Sequence, residues 1–384
     1  MRVVHLSLGF ARAESGGAFL DRVEVLTRLC EETARVPGVG VSALCRFERD
    51  ETLARGGVDY HLRADDPRHL LAGRRTVPTT LLSLARRLRP DVVHVHGLLF
   101  PVQTALLRLA LGRGTVVAVQ HHGERPEGRT RPALARALFR AADGFLFTSA
   151  GIAEEWRRAG VLPPARPVLE VVEASTDFVP LPREEARRRA KLPGSPAVLW
   201  VGRLHAKKDP LTALAGFATA LDRLPGAHLS MAFREAPLLP EVRAFVASSP
   251  ALAGRVQLLG EVPHADLPAF FSAADLFLTS SPAEAANFAL LEALACGTPP
   301  VASDIPAHRA VTGHGAVGTL FPARDGAGCA RALVEAAARP SAEARPAARR
   351  HFEERLSWPA VARQAHAAYG SLAALRRSPR APRG

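Results

Sequence analysis

Lysine is nearly absent: three lysines stand among 50 basic residues, so arginine carries almost all of the positive charge of this 384-residue chain. A net charge of +13 and a pI near 10.9 would ordinarily direct attention to nucleic acid or an acidic membrane. The excess is not gathered, however. Residues 1–190 carry a net +7 and residues 191–384 a net +6, with no basic stripe interleaved with aromatics. The arginine bias comes with abundant alanine and proline, as in a GC-rich genome, and it argues against a nucleic-acid partner. Weak peripheral attraction to an anionic membrane surface stays open. Cysteine is also scarce. Cys30, Cys45, Cys296 and Cys329 are scattered, with neither metal-ligand spacing nor a paired framework, so they read as reduced, buried residues of a cytosolic protein. No apolar run approaches the ~18 residues of a membrane span. The apolar start after Arg2 is short, broken by His5 and followed by Gly16-Gly17, which suits a first strand better than a signal peptide.

What is present is an alternation of β-rich and helical segments with no further repeat, the pattern of parallel α/β sheets. The length allows two domains, each with its own core. The polar, Pro- and Gly-punctuated stretch 183–195 is the expected linker, between a first domain over 1–182 and a second over 196–350. A helical pattern spans 351–375, and the apolar-poor tail 376–384 is expected to be disordered.

Several segments carry candidate chemistry. VVHLSL (3–8) leads through a loop with Gly16-Gly17 into a helix, a layout that lets backbone approach a phosphate. In DVVHVHG (91–97) alternation puts His94 and His96 on one face, but two ligands fall short of a metal site and no third is evident, so both read as structural or cleft-lining. TVVAVQHHG (115–123) ends in His121 and His122 at a strand's carboxyl end, where open parallel sheets bind ligands. The polar loop GERPEGRTRP after it is a candidate acceptor-side flap. In AVLWVGRLHAKKDP a strand runs into Arg203 and Lys208, then a helix starting near Asp209-Pro210. A planar arginine fork and a compact ammonium at such a mouth suit a diphosphate, the other reading being a solvated basic loop.

SSPAEAANFALLEALACGTPPVA, beginning at Ser280, is punctuated as loop, helix and helix stop, with the helix starting near Asn287. Glu284 then precedes the helix and Glu292 lies in its second turn. A free helix N-terminus favours an anion, while carboxylates accept paired bonds from adjacent hydroxyls, so the set suits a sugar joined through phosphates to a ribose. Two glutamates on a solvated amphipathic helix would look the same if taken alone.

Glu284 to Glu292 resembles the E-x7-E element of the retaining glycosyltransferases of family 4, and LEALACGTPPVASD and HADLPAFFSAADLFLTSS are similar to that family's flanks. The customary Glu-Gly-Phe-Gly opening is here Glu284-Ala285-Ala286-Asn287, followed by Phe288. Arg203 and Lys208 match the family's Gly-Arg-Leu-x3-Lys pattern, and His122 matches its strand-end histidine. The resemblance implies a GT-B fold, two Rossmann-like domains facing across a cleft, with the last helix returning to the first domain. It implies donor contacts from Gly16, Gly17, Arg203, Lys208, Asn287, Phe288, Ala289 and Glu292, with His122 and Glu284 as catalytic-cleft residues. The implied reaction moves a sugar, with retention, from a UDP- or GDP-linked donor to a hydroxyl of a glycan or lipid-linked acceptor. No cofactor is expected and, without an Asp-x-Asp pair, no metal. A GT-B epimerase or phosphorylase, or a catalytically silent sugar-nucleotide-binding subunit of a glycan assembly complex, are the rival readings.

Overall fold

The structure, a computed structural model, describes residues 1–65, 76–126 and 131–377. Part of the flap (127–130) and the tail from 378 lie outside the described residues. The chain forms two compact units, Met1–Ala174 with Trp358–Gly384, and Ser175–Ser357.

The first unit holds eight strands: β1 (Arg2–Ala11), β2 (Gly40–Phe47), β3 (Glu51–Arg55), β4 (Val58–Arg63), β5 (Val92–His96), β6 (Val116–Gln120), β7 (Gly144–Phe147) and β8 (Val168–Glu170). Their order is β3-β4-β2-β1-β5-β6-β7-β8, and every pair is parallel except β3 with β4. Runs such as VVHVH and VVAVQ are apolar almost throughout because both faces of a parallel sheet are covered. The chain winds one way from β1 and the other way from β5, so the switch lies between these central strands.

The polar stretch after β2 forms the β3–β4 hairpin. Its turn is Gly56-Gly57, with φ of 58° and 79°, the doubly left-handed geometry that a two-residue hairpin turn requires. The Gly-Gly between two β-prone runs was the available signal. Helix Trp358–Arg377 belongs to this unit. Tyr369 reaches His94 and Gln364 accepts from the Val172 amide. At Gly144 an added Cβ would meet Leu372 at 2.4 Å, so this close approach needs glycine.

The second unit holds β9 (Ala197–Val201), β10 (His228–Ala232), β11 (Val256–Gly260), β12 (Leu276–Thr279), β13 (Pro300–Ser303) and β14 (Thr319–Phe321), in the all-parallel order β11-β10-β9-β12-β13-β14. The switch here falls between β9 and β12. Trp200, Phe217, Leu229, Met231, Leu278 and Leu333 build its core. The expected linker is partly a helix of this unit, Arg183–Ala190. Glu184 and Glu185 in its first turn and arginines in its last suit the helix dipole. Ala186 and Ala190 pack on Ala273, and Arg183 and Arg187 both reach Asp275. Among the described residues no helix is long and apolar enough to cross a membrane.

Candidate functional site

At the switch of the second sheet the loops after β9 and β12 meet. Asp209 caps helix Pro210–Ala220, and its carboxylate accepts from the Thr212 hydroxyl at 2.8 Å. Ser280, directly after β12, donates to the carbonyl of Asp209 at 2.6 Å and so ties the two loops together. Across this junction Lys208 Nζ donates to Glu284 Oε1 at 2.5 Å, with both side chains largely buried. The two residues assigned to diphosphate and sugar are therefore ion-paired partners.

Helix Phe288–Ala295 begins where expected, with Asn287 at its N-cap. Asn287 has φ 67°, the left-handed geometry that asparagine tolerates best after glycine, which explains its place in the position where the resembling motif carries glycine. Its buried side chain does not cap the helix. It donates to Thr279 Oγ1 at 3.1 Å and pairs with His308 Nε2 at 2.9 Å. His308 Nδ1 donates to the Ser303 carbonyl at 2.8 Å, which fixes the tautomer and makes Nε2 the acceptor of the Asn287 amide. Burial pushes His308 down to about 4. The first-turn amides at Phe288 and Ala289 thus have no side-chain cap, the arrangement that suits an anion. Phe288 is half exposed beside them. Asn287 contributes backbone geometry, its side chain being spent inward.

That internal role makes a stability prediction. Asn287→Ala strains the backbone and leaves Thr279 and His308 short of a partner, at an expected cost of about 3 kcal/mol. Asn287→Gly relieves the strain and should cost about 1–2 kcal/mol less. Urea unfolding of the two variants side by side checks both the sizes and their order.

The other two donor residues have different partners. Arg203 is half exposed and its nearest acid is Glu235, at 3.5 Å. Glu292 is buried and bonds His264 Nε2 at 3.0 Å, the imidazole leaning on Phe178. Lys208, Glu284 and Asn287 are brought together, whereas Arg203 and Glu292 hold flanking pairs. His308, Ser280 and His264 were not singled out from the sequence; Ser280 directly follows β12, whereas His308, within helix Pro306–Val311, and His264, in the turn before helix Leu267–Ala273, carried no local signal.

In the first unit Gly16 and Gly17 open helix Gly16–Arg22, capped by Ser15. The Gly16 amide is already given to the Glu51 carboxylate, at 3.0 Å, so Gly17 is the more available of the two. His121 is buried, stacked on Phe147 and edge-on to Trp156, a packing residue. His122 is the partly exposed member of the pair. Its Nδ1 faces Glu173 at 3.2 Å and its Nε2 pairs with His96 Nδ1 at 2.8 Å. His96 Nε2 in turn pairs with His5 Nδ1 at 3.0 Å. With the Glu173 carboxylate accepting, His122 and His96 each donate from Nδ1 and accept at Nε2, and His5 donates from Nδ1 while its buried Nε2 has no partner.

The sheet register places His5 opposite His94, supplying the third imidazole that the sequence did not reveal. His5, His94 and His96 offer ligand atoms within 4.8 Å of one another. The His94 and His96 rings are stacked, 4.3 Å apart and 9° from parallel, so their in-plane lone pairs run side by side. Hydrogen bonds already hold His5 to His96 and His94 to Tyr369. Burial keeps all three neutral, with His5 lowered to about 3 and His94 and His96 well below their ordinary range. As they stand, His96 and His5 form a hydrogen-bonded file behind His122, with His94 stacked on His96 and bonded to Tyr369.

Comparison with known proteins bears on both units. Residues 23–169 match the family model "Glycosyltransferase Family 4", and residues 195–339 match "Glycosyl transferases group 1". The chain is 30% identical over 224 residues to D-inositol 3-phosphate glycosyltransferase of Thermobispora bispora, covering 56% of this chain and 52% of that protein. It thus spans about half the length of that relative. D-inositol 3-phosphate glycosyltransferase 1 of Catenulispora acidiphila is 28% identical over 359 residues, covering 85% of this chain and 84% of that protein. Among solved structures, HepE of Anabaena in complex with UDP superposes with a TM-score of 0.70 at 17% identity, covering 97% of this chain and all of that one.

Proposed function

We propose that this chain, which belongs to the group 1 and family 4 glycosyltransferases and has the GT-B fold, moves a sugar from a UDP- or GDP-linked donor to an acceptor hydroxyl with retention of configuration and without a metal. The Lys208–Glu284 pair carries the reading. It sits at the carboxyl ends of β9 and β12, the switch of a parallel sheet, beside an uncapped helix N-terminus. As the glycosidic bond breaks, negative charge grows on the diphosphate, and a fixed ammonium with backbone amides stabilises it there more than in the ground state. Glu284 then exchanges part of its bond to Lys208 for the donor's hydroxyls. Glu292 takes the ribose hydroxyls in place of His264, and Arg203, which has only a long contact to Glu235, turns its fork to phosphate oxygens. His122, held by His96 and Glu173, offers a fixed imidazole to the sugar. A lipid-linked or glycan hydroxyl is the proposed acceptor class.

Binding is tested by a thermal-shift screen of nucleotide sugars. A cognate donor at a hundredfold its Kd should stabilise the protein by about 2.7 kcal/mol. The matching transfer reaction should run unchanged in EDTA and give a product of the donor's anomeric configuration by NMR. If no UDP or GDP sugar raises the melting temperature, the reading is wrong.

A further inference from the structure

A cavity of about 980 Å³ in the first unit is lined by six arginines, Arg108, Arg113, Arg140, Arg157, Arg166 and Arg376. Among the described residues Asp143 is the only carboxylate on its wall. Arg113, Arg140 and Arg166 precede β6, β7 and β8, so the cavity lies at the amino ends of these strands, the edge opposite to the one His122 follows.

Half of this charge has structural work. Arg108 donates to the carbonyls of Ala141, Gly112 and Thr115 and pairs with Asp143 at 2.5 Å. Arg376 joins the same carboxylate at 3.1 Å, and Arg166 donates to the Arg140 carbonyl. One acid shared by two guanidinium groups is fully spent. Burial, with Arg376 and Arg166 nearby, holds Arg108 below its ordinary range even with Asp143 at its side. The other half is uncommitted. Among the described residues no acid or carbonyl holds the exposed side chains of Arg113 and Arg140. Arg157 has only a 3.9 Å contact to Glu154, and its buried Nε has no partner. Helix C-termini favour a nearby cation, which accounts for single arginines such as Arg108 and Arg157. It does not account for a shared cavity with one acid to six bases, or for a buried guanidinium nitrogen left unbonded.

We infer that this cavity binds a compact polyphosphate anion, two or more linked phosphoryl groups gripped by Arg113, Arg140 and Arg157 against the fixed charge of the other three arginines. Planar guanidinium forks match phosphoryl oxygens in pairs. A concave wall with six guanidinium groups to one carboxylate concentrates such an anion from solution. Leu372 and the half-exposed Leu375 on the same wall would face whatever apolar part the diphosphate carries. A free polyphosphate and a diphosphate headgroup share this chemistry. The inference is independent of the transfer reaction.

The test uses the full chain carrying Arg203→Ala and Lys208→Ala, so that neither cation of the proposed donor loop contributes. Calorimetry with inorganic tripolyphosphate forms one arm, and flotation with phosphatidylcholine vesicles containing farnesyl diphosphate the other, both at fixed ionic strength. Binding in the first arm identifies a free anion, and binding in the second alone a headgroup. In either case Arg113→Ala, Arg140→Ala and Arg157→Ala together should weaken it by roughly 100-fold. Arg113→Glu, on an exposed side chain that cannot unfold the unit, should alone weaken it by about tenfold. Unchanged affinity in both variants, no binding in either arm, or equal displacement by sulfate at matched ionic strength would overturn the inference.

Discussion

Lys208→Ala is expected to lower the turnover of glycosyl transfer by about 10²–10³-fold, the usual loss when one fixed donor to a developing anion is removed. A unit charge about 4 Å from the leaving phosphate is worth up to about 4 kcal/mol at an effective dielectric near 20, which is of the same size. The effect on stability should be smaller. Lys208 and Glu284 retain 19% and 16% side-chain exposure, so removing one partner of this largely buried pair costs about 2–3 kcal/mol, below the ~3–5 kcal/mol of a fully buried pair. Because the two side chains act as one unit, Lys208→Ala with Glu284→Ala should lose less than the product of the single losses. Steady-state rates at saturating donor, with melting temperatures for each variant, separate these outcomes. Turnover within threefold of the parent would remove Lys208 from the chemistry.

The second large effect is on stability in mild acid. His5 is held neutral down to about 3 and His308 down to about 4, and His94 and His96 lie well below their ordinary range, each chiefly because it is buried. In the unfolded chain the same imidazoles take up protons below about 6.5. The unfolded state then binds more protons than the folded one, so stability is complete above about pH 6.5 and falls as the pH drops toward the folded values. His5 and His308, with folded values of about 3 and about 4, each remove about 2 kcal/mol between pH 7 and pH 5. The first unit also carries the lowered His94 and His96, so it should lose more than the second, whose loss comes through His308. Against a typical domain stability of about 5–15 kcal/mol, this is enough to separate two transitions. Calorimetry from pH 7 to pH 5 should show the first unit melting earlier as the pH falls, with His94→Gln reducing the slope. A melting profile flat over that interval would contradict the assignment.

These outcomes also show where sequence reading succeeds. The strand, cationic loop and Asp209-Pro210 cap were legible because all of their signals lie within about a dozen consecutive residues, and local capping chemistry fixes them. The helix start at Asn287 was legible for the same reason. The direction of the Asn287 side chain was not, since it depends on His308, 21 residues on and across two loops. His5 escaped notice as the neighbour of His94 because only parallel register brings together residues 89 positions apart. The helix Arg183–Ala190 looked like linker because it buries little more than Ala186 and Ala190, so hydrophobic periodicity had nothing to report.

Helix Trp358–Arg377 covers a sheet whose strands all precede residue 171. A nascent chain leaving the ribosome therefore exposes the intervening 175–357 segment whole before the front sheet can be covered. The rear unit, uninterrupted in the message, can close first, reversing the order in which the two are translated. Until residue 369 emerges, the face bearing His94 waits uncovered, the stage at which a chaperone would find most to hold.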